Sequence, residues 1–377
     1  MKALHQDVDP DGLLEYSVVY TDRALNHMSQ TFQAVMCDIS AALKQTYLAH
    51  SAVVVPGSGS FGMEAVARQF GIGANCLVLR NGWFSYRWSQ ILDAGGFAGS
   101  VNVLKARRKS QGDTEPFFPA ALDEVLNTIK REKPDLVFAP HVETSAGMLL
   151  PDDYLKAVAD AVHEQGGLFV LDCIASGCLW VDMEATGVDV LISAPQKGWS
   201  GPPCCGLVML SQLARERIES TSSNSFSIDL KKWLSIMETY EGGGHAYHAT
   251  MPTESLRQFR NVMQETIDFG SANAKQKQQE LGGKIRVLLE DKGFCSVAGS
   301  GFQSPGVVVS YTDNASFQNG SDFAKIGMQI AAGVPLMCDE GEAFSSFRIG
   351  LFGLDKLMNV DRSVQSMASA LDKLGYQ

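Results

Sequence analysis

Short apolar runs recur between about residues 50 and 210, and helix-like stretches separate them. Ala52–Val55, Cys76–Leu79, Leu136–Ala139 and Leu168–Leu171 are apolar throughout, and Val188–Ile192 is apolar but for Asp189. Runs that do not alternate with polar residues suit strands covered on both faces, as in a parallel sheet between helical layers. The clearest helix signal starts at Pro151-Asp152 and carries Leu155, Val158, Ala159 and Val162 at i, i+3, i+4, i+7; Gly166-Gly167 stops it. Such alternation predicts an α/β architecture with a mostly parallel sheet.

Composition narrows the function. At 377 residues the chain is long enough for two domains, and 45% hydrophobic against 19% charged residues supplies a sizeable core. The formal net charge of -11 argues against non-specific nucleic-acid binding and gives no support to an anionic-membrane surface binder. No run approaches the roughly 18 apolar residues needed to span a bilayer, and the acidic N-terminal stretch lacks the apolar segment of a signal peptide. The eight cysteines form no C-x-x-C pair and sit mostly in apolar stretches. They read as thiols of a reducing compartment, so a cytoplasmic globular protein is expected. Around Pro252 the chain changes character, with one long polar helix over Glu254–Lys284, then strand signals at Gly306–Ser310 and a C-terminal helix. The expected division is a large domain over 1–255, then a linker helix and a small α+β domain over 256–377.

In an open α/β sheet, ligands bind beyond the carboxyl ends of the strands. Five post-strand segments are therefore the candidates. Gly57-Ser58-Gly59-Ser60-Phe61-Gly62 opens a helix, where free amides and the helix dipole favour a phosphate. It is also a literal G-x-G-x-x-G, yet the acidic residue that a dinucleotide site wants about 20 positions on is missing. No Asp or Glu occurs between Ala65 and Leu92. Asn81-Gly82-Trp83-Phe84 offers an aromatic wall for a flat ligand, or simply caps the core. His141–Gly147 is a polar loop, and Asp172 is a carboxylate at the end of a buried strand that needs a positive partner. Lys197, between Pro195-Gln196 and Gly198-Trp199, has a confined setting of the kind that lowers an amine's pKa and makes it nucleophilic. His245 and His248 have no third ligand at matching spacing, so no metal site is expected.

A phosphate cradle, an aromatic wall, a strand-end carboxylate and a lysine about 25 residues later are the parts of a pyridoxal 5′-phosphate site. In order and spacing, HVETSAGMLLP, LFVLDCIAS and VDVLISAPQKGWSGPPCCGLVML resemble the class V aminotransferases of fold type I, above all the alanine–glyoxylate and serine–pyruvate branch. PGSGSFGMEAV, NGWFSYRWSQI, HAYHATMP and FRIGLFG extend the likeness to about residues 50–355. The resemblance implies a seven-stranded, mostly parallel sheet sandwiched by helices, with a smaller C-terminal domain. It makes Lys197 the Schiff-base lysine and proton carrier, and Asp172 the partner of the pyridine nitrogen. Phe84 stacks on the ring and Thr144 approaches its hydroxyl. Ser58, Gly59, Ser60 and Gln196 hold the phosphate, and Arg348 clamps the substrate carboxylate. Tyr247 and Thr250 match residues that serve the neighbouring subunit, so a homodimer with shared sites is implied.

The activity so implied is ping-pong transamination between a small amino acid, such as alanine or serine, and glyoxylate or pyruvate. Two other chemistries use the same fold. A 2-aminoethylphosphonate–pyruvate transaminase wants a cationic pocket, for which Arg80 and Arg87 are candidates. A cysteine desulfurase or lyase wants a reactive thiol, for which Cys338 is the candidate. The family's Gly/Pro-rich N-terminal segment is replaced here by Glu15–Tyr20 and Asn26–Ser29.

Overall fold

The computed structural model describes residues 3–376. Seven strands form the main sheet: β1 (Ser51–Pro56), β2 (Asn75–Arg80), β3 (Ser100–Lys105), β4 (Leu136–Pro140), β5 (Leu168–Asp172), β6 (Val190–Ser193) and β7 (Cys205–Leu210). Their order across the sheet is β1-β7-β6-β5-β4-β2-β3. All neighbours pair in parallel except at β7, which runs antiparallel to both β1 and β6. The expected doubly covered strands are present. Val53–Val55, Val137–Ala139, Phe169–Leu171 and Leu207–Leu210 are fully buried, so helices cover both faces.

Local chemistry sets the helices around this sheet. Helix α1 (Gln30–Tyr47) begins where the Ser29 hydroxyl accepts the Phe32 amide. Helices α2 (Gly59–Phe70) and α3 (Trp83–Gly95) follow β1 and β2 directly. Helix α4 (Asp152–Glu164) starts after Pro151 with two aspartates in its first turn, which suits the positive end of the helix dipole. Its expected stripe of Leu155, Val158, Ala159 and Val162 is buried.

The single helix expected over Glu254–Lys284 is two helices, α5 (Thr253–Phe269) and α6 (Ser271–Asp291). Gly270 separates them at φ 92, a left-handed value that breaks the ladder and that glycine adopts without strain. Leu256, Phe259 and Met263 of α5 pack in the core of the large sheet. Ala274, Leu281, Ile285 and Leu289 of α6 pack in a second core. That second core lies under a three-stranded antiparallel sheet of β8 (Val307–Tyr311), β9 (Ala331–Ala332) and β10 (Ser346–Gly350), in the order β8-β10-β9. Helix α7 (Val360–Lys373) packs against α6. Residues before α1 form neither helix nor strand and lean on the start of α5, with the Leu25 amide donating to Glu254 at 2.8 Å.

Candidate active site

Strands β1, β2, β4, β5 and β6 run in one direction, so the five candidate loops emerge along one edge of the sheet. At the end of β1, Ser58 is the N-cap residue of α2, and its hydroxyl bonds no amide of its own helix. Gly59 is buried; a Cβ there would lie 2.6 Å from Ile174 Cδ1, so only glycine lets the helix start this close to the loop after β5. Helix-terminal amides with two serine hydroxyls make an anion-binding end. Arg87 adds a cation to it, with Nη1 donating to the Ser60 hydroxyl at 2.9 Å.

Phe84 lies in the first turn of α3. The guanidinium carbons of Arg87 and Arg348 are 5.4 Å and 5.5 Å from its ring centroid. Both distances fall within the range at which a cation feels the ring's quadrupole. Thr144 is buried between Glu143 and Ser145, in the hairpin that follows β4. Asp172 closes β5 and is buried, with Oδ1 accepting the Ile174 amide at 2.9 Å. Burial, with a smaller push from the charge of Glu143, raises its pKa to about 7; Arg87 and Lys197 pull the other way.

Lys197 follows β6, and Gln196 beside it is exposed. The lysine's Nζ is 5.2 Å from the Phe352 ring centroid. Burial lowers its pKa, and the charge of Arg348 adds to that effect while Asp172 opposes it. The small domain supplies Arg348 from β10, its Nε donating to the Ala332 carbonyl at 2.7 Å. Among the described residues, no ion pair involves Asp172, Arg87, Lys197 or Arg348. Three cations and one buried carboxyl group thus share a site without neutralising one another directly.

Tyr247 and Thr250 form a separate, exposed cluster. Their hydroxyls are 3.1 Å apart, and the Tyr247 ring lies 5.5 Å from that of His27. His248 bonds the Phe226 carbonyl at 2.7 Å, and no group of three or more His, Cys, Asp or Glu among the described residues is arranged to hold a metal.

No protein-family model matches the chain. It is 26% identical over 359 residues to the alanine–glyoxylate aminotransferase of Felis catus, covering 93% of this chain and 82% of that one. It is 26% identical over 356 residues to the 2-aminoethylphosphonate–pyruvate transaminase of Syntrophobacter fumaroxidans, covering 91% and 90%. The solved alanine–glyoxylate aminotransferase of Nostoc sp. has the same fold, with TM-score 0.75 at 22% identity over 92% of this chain and 88% of that one. The chain is related to the alanine–glyoxylate branch of the fold type I pyridoxal-phosphate-dependent aminotransferases.

With that relationship the chain is a pyridoxal-phosphate-dependent aminotransferase in general terms, and the residues present fit the cofactor. The N-terminus of α2 with Ser58, Ser60 and Arg87 suits a phosphate. Phe84 suits a flat ring, and buried Asp172 lacks the cation that a protonated ring nitrogen supplies. Three residues at this site were not assigned these roles from the sequence. Arg87 lies three positions after Phe84 on α3, so helical spacing alone predicts a shared face. Phe352 carried no sequence signal beyond following Arg348. Glu143 lay within a flagged loop, but its partners are 58 and 59 residues away.

Proposed function

We propose that this aminotransferase moves an amino group between a small amino acid of the alanine or serine type and a small 2-oxo acid such as glyoxylate or pyruvate. The observation that carries the reading is Lys197, whose proton affinity is lowered by burial and Arg348 and partly restored by Asp172. Pyridoxal phosphate, when bound, supplies a carbonyl to carry the amino group and a conjugated ring to take up electrons. The protein does the rest. Lys197 Nζ, neutral more often than an exposed lysine, accepts a proton from the substrate Cα and returns one. Asp172 keeps a proton on the ring nitrogen, and that pairing offsets the cost of its buried charge. Arg348 offers a planar fork to the substrate carboxylate. Ser58, Gly59, Ser60, Gln196 and Arg87 hold the phosphate, while Phe84 and Thr144 meet the ring. Two half-reactions at one site give ping-pong kinetics.

The two other chemistries find less support. Arg80 is engaged with the Ser89 hydroxyl, the Met337 carbonyl and the Tyr86 ring, and Arg87 with the cradle. Neither is left over for a phosphonate. Cys338 is buried with its thiol against the Arg80 carbonyl, and burial pushes its pKa up to about 12. A thiol that stays neutral is a poor nucleophile for sulfur chemistry.

A homodimer with shared sites belongs to the same proposal. It is supported by the outward-facing hydroxyls of Tyr247 and Thr250 and by exposed Leu13, Tyr16, Val18 and Phe226. A cytoplasmic setting fits the six buried cysteines, Cys76, Cys173, Cys178, Cys204, Cys205 and Cys338. No helix among the described residues is long and apolar enough to cross a membrane.

The test is spectroscopic. Purified protein given pyridoxal phosphate is expected to be yellow, and borohydride to fix the cofactor on Lys197. Alanine or serine should then bleach the colour and release a 2-oxo acid. Bleaching only by 2-aminoethylphosphonate, or release of sulfide from cysteine, would replace the substrate assignment; a colourless, unlabelled protein would end the reading.

A further inference from the structure

Glu143 has no solvent exposure, yet its carboxylate takes five hydrogen bonds from two separate loops. Oε1 accepts the Phe84 amide at 3.1 Å, the Ser145 amide at 3.1 Å and the Ser145 hydroxyl at 2.7 Å. Oε2 accepts the Ser85 amide at 2.8 Å and the Ser85 hydroxyl at 2.7 Å. The Ser145 hydroxyl in turn accepts the Trp83 amide at 2.9 Å. One carboxylate therefore satisfies the opening amides of α3, where the helix dipole also favours negative charge.

The junction is as tight as backbone allows. A Cβ on Gly82 would overlap the Ser145 hydroxyl oxygen. The two segments it joins are the α3 turn that carries Phe84 and the hairpin that carries Thr144. Each contributes one of the residues assigned above to the cofactor ring. The same charge reaches Asp172 and Arg348, raising the proton affinity of both.

We propose that Glu143 is a positioning residue for the cofactor ring: by tying the Phe84 turn to the Thr144 hairpin it fixes the plane in which the ring is received. The inference rests on the pyridoxal-phosphate reading of the site. A carboxylate that served only to cap a helix would affect folding without changing how a bound ring is oriented.

The experiment compares wild-type protein, E143Q and S145A for affinity toward pyridoxal phosphate and toward phosphate-free pyridoxal, and for visible circular dichroism at equal occupancy. In E143Q an amide nitrogen faces N–H groups. Loss of charged hydrogen bonds is expected to raise both dissociation constants about ten- to hundredfold. Equal loss for the two ligands marks the ring rather than the phosphate, and the induced dichroism should weaken. S145A keeps the charge and the Ser85 contacts, so it should fold and show the same pattern more weakly. Wild-type affinity and dichroism in E143Q, or in S145A if E143Q does not fold, overturn the inference alone. A wild-type protein that takes up no cofactor overturns it together with the functional reading.

Discussion

Arg87 joins α3 to the mouth of α2, its Nη1 donating to the Ser60 hydroxyl at 2.9 Å. Since the N-terminus of α2 is built to receive an anion, this guanidinium completes the phosphate end of the site. Arg87→Ala is expected to weaken pyridoxal phosphate binding about ten- to hundredfold while leaving pyridoxal nearly unaffected. Parallel titrations of the two ligands check this. Equal losses would mean that Arg87 acts through Phe84 rather than on the phosphate.

Arg348 should act on the substrate and not on the cofactor. Arg348→Lys keeps a charge but loses the fork, so KM for the amino acid should rise about tenfold or more. Cofactor affinity should stay within a factor of about two, because the phosphate end is untouched. An amine donor without a carboxylate should be indifferent to the change. Steady-state kinetics with alanine and a simple alkylamine separate these outcomes.

Asp172 predicts a pH-dependent trade between stability and function. Its pKa stands at about 7 in the unliganded fold against the ordinary 3.8, so the protonated form is the one that the fold prefers. The stabilising contribution is therefore complete at acid pH and is lost as pH rises through about 7. Unliganded Asp172→Asn should match wild type near pH 4 and exceed it by roughly 2–4 kcal/mol near pH 8. Added cofactor should reverse the order, since only the carboxylate can pair with a protonated ring nitrogen. Denaturant melts at the two pH values, with and without cofactor, provide the measurement.

The lysine loop depends on a close backbone approach. A Cβ on Gly198 would overlap the Gly177 carbonyl oxygen, and backbone on that side cannot yield as a flexible side chain could. Gly198→Ala should cost roughly 1–3 kcal/mol and move Lys197 away from Asp172. Borohydride labelling of Lys197 should fall by much more than far-UV dichroism does.

Much of this was legible because the sheet is buried on both faces. Uninterrupted runs such as Leu168–Leu171 mark covered strands, and a parallel sheet puts whatever follows them on one edge. That is why Ser58, Phe84, Thr144, Asp172 and Lys197 could be picked out together. Strand β3 was missed because Ser-Val-Asn-Val-Leu-Lys is a half-exposed edge without a continuous apolar run. Gly270 gave too weak a signal to divide the polar helix, since a lone glycine is tolerated inside one. The direction of β7 was equally hidden, because composition carries no sign of which way a buried strand runs. Glu143 is the instructive case. Its meaning comes from amides of residues 84 and 85, which the fold brings to it and sequence spacing does not.

The exposed hydroxyl pair of Tyr247 and Thr250 has a genetic consequence. If each chain lends that pair to its neighbour, no chain owns a whole catalytic centre, and two differently broken copies can repair one another. Lys197→Ala protein and a Tyr247→Ala, Thr250→Ala protein, each dead alone, should regain about a quarter of the wild-type sites when unfolded and refolded together in equal amounts, because mixed pairs contain one centre made only of intact parts. Defects in the two groups of residues would then fall into separate complementation classes, although both lie in one gene.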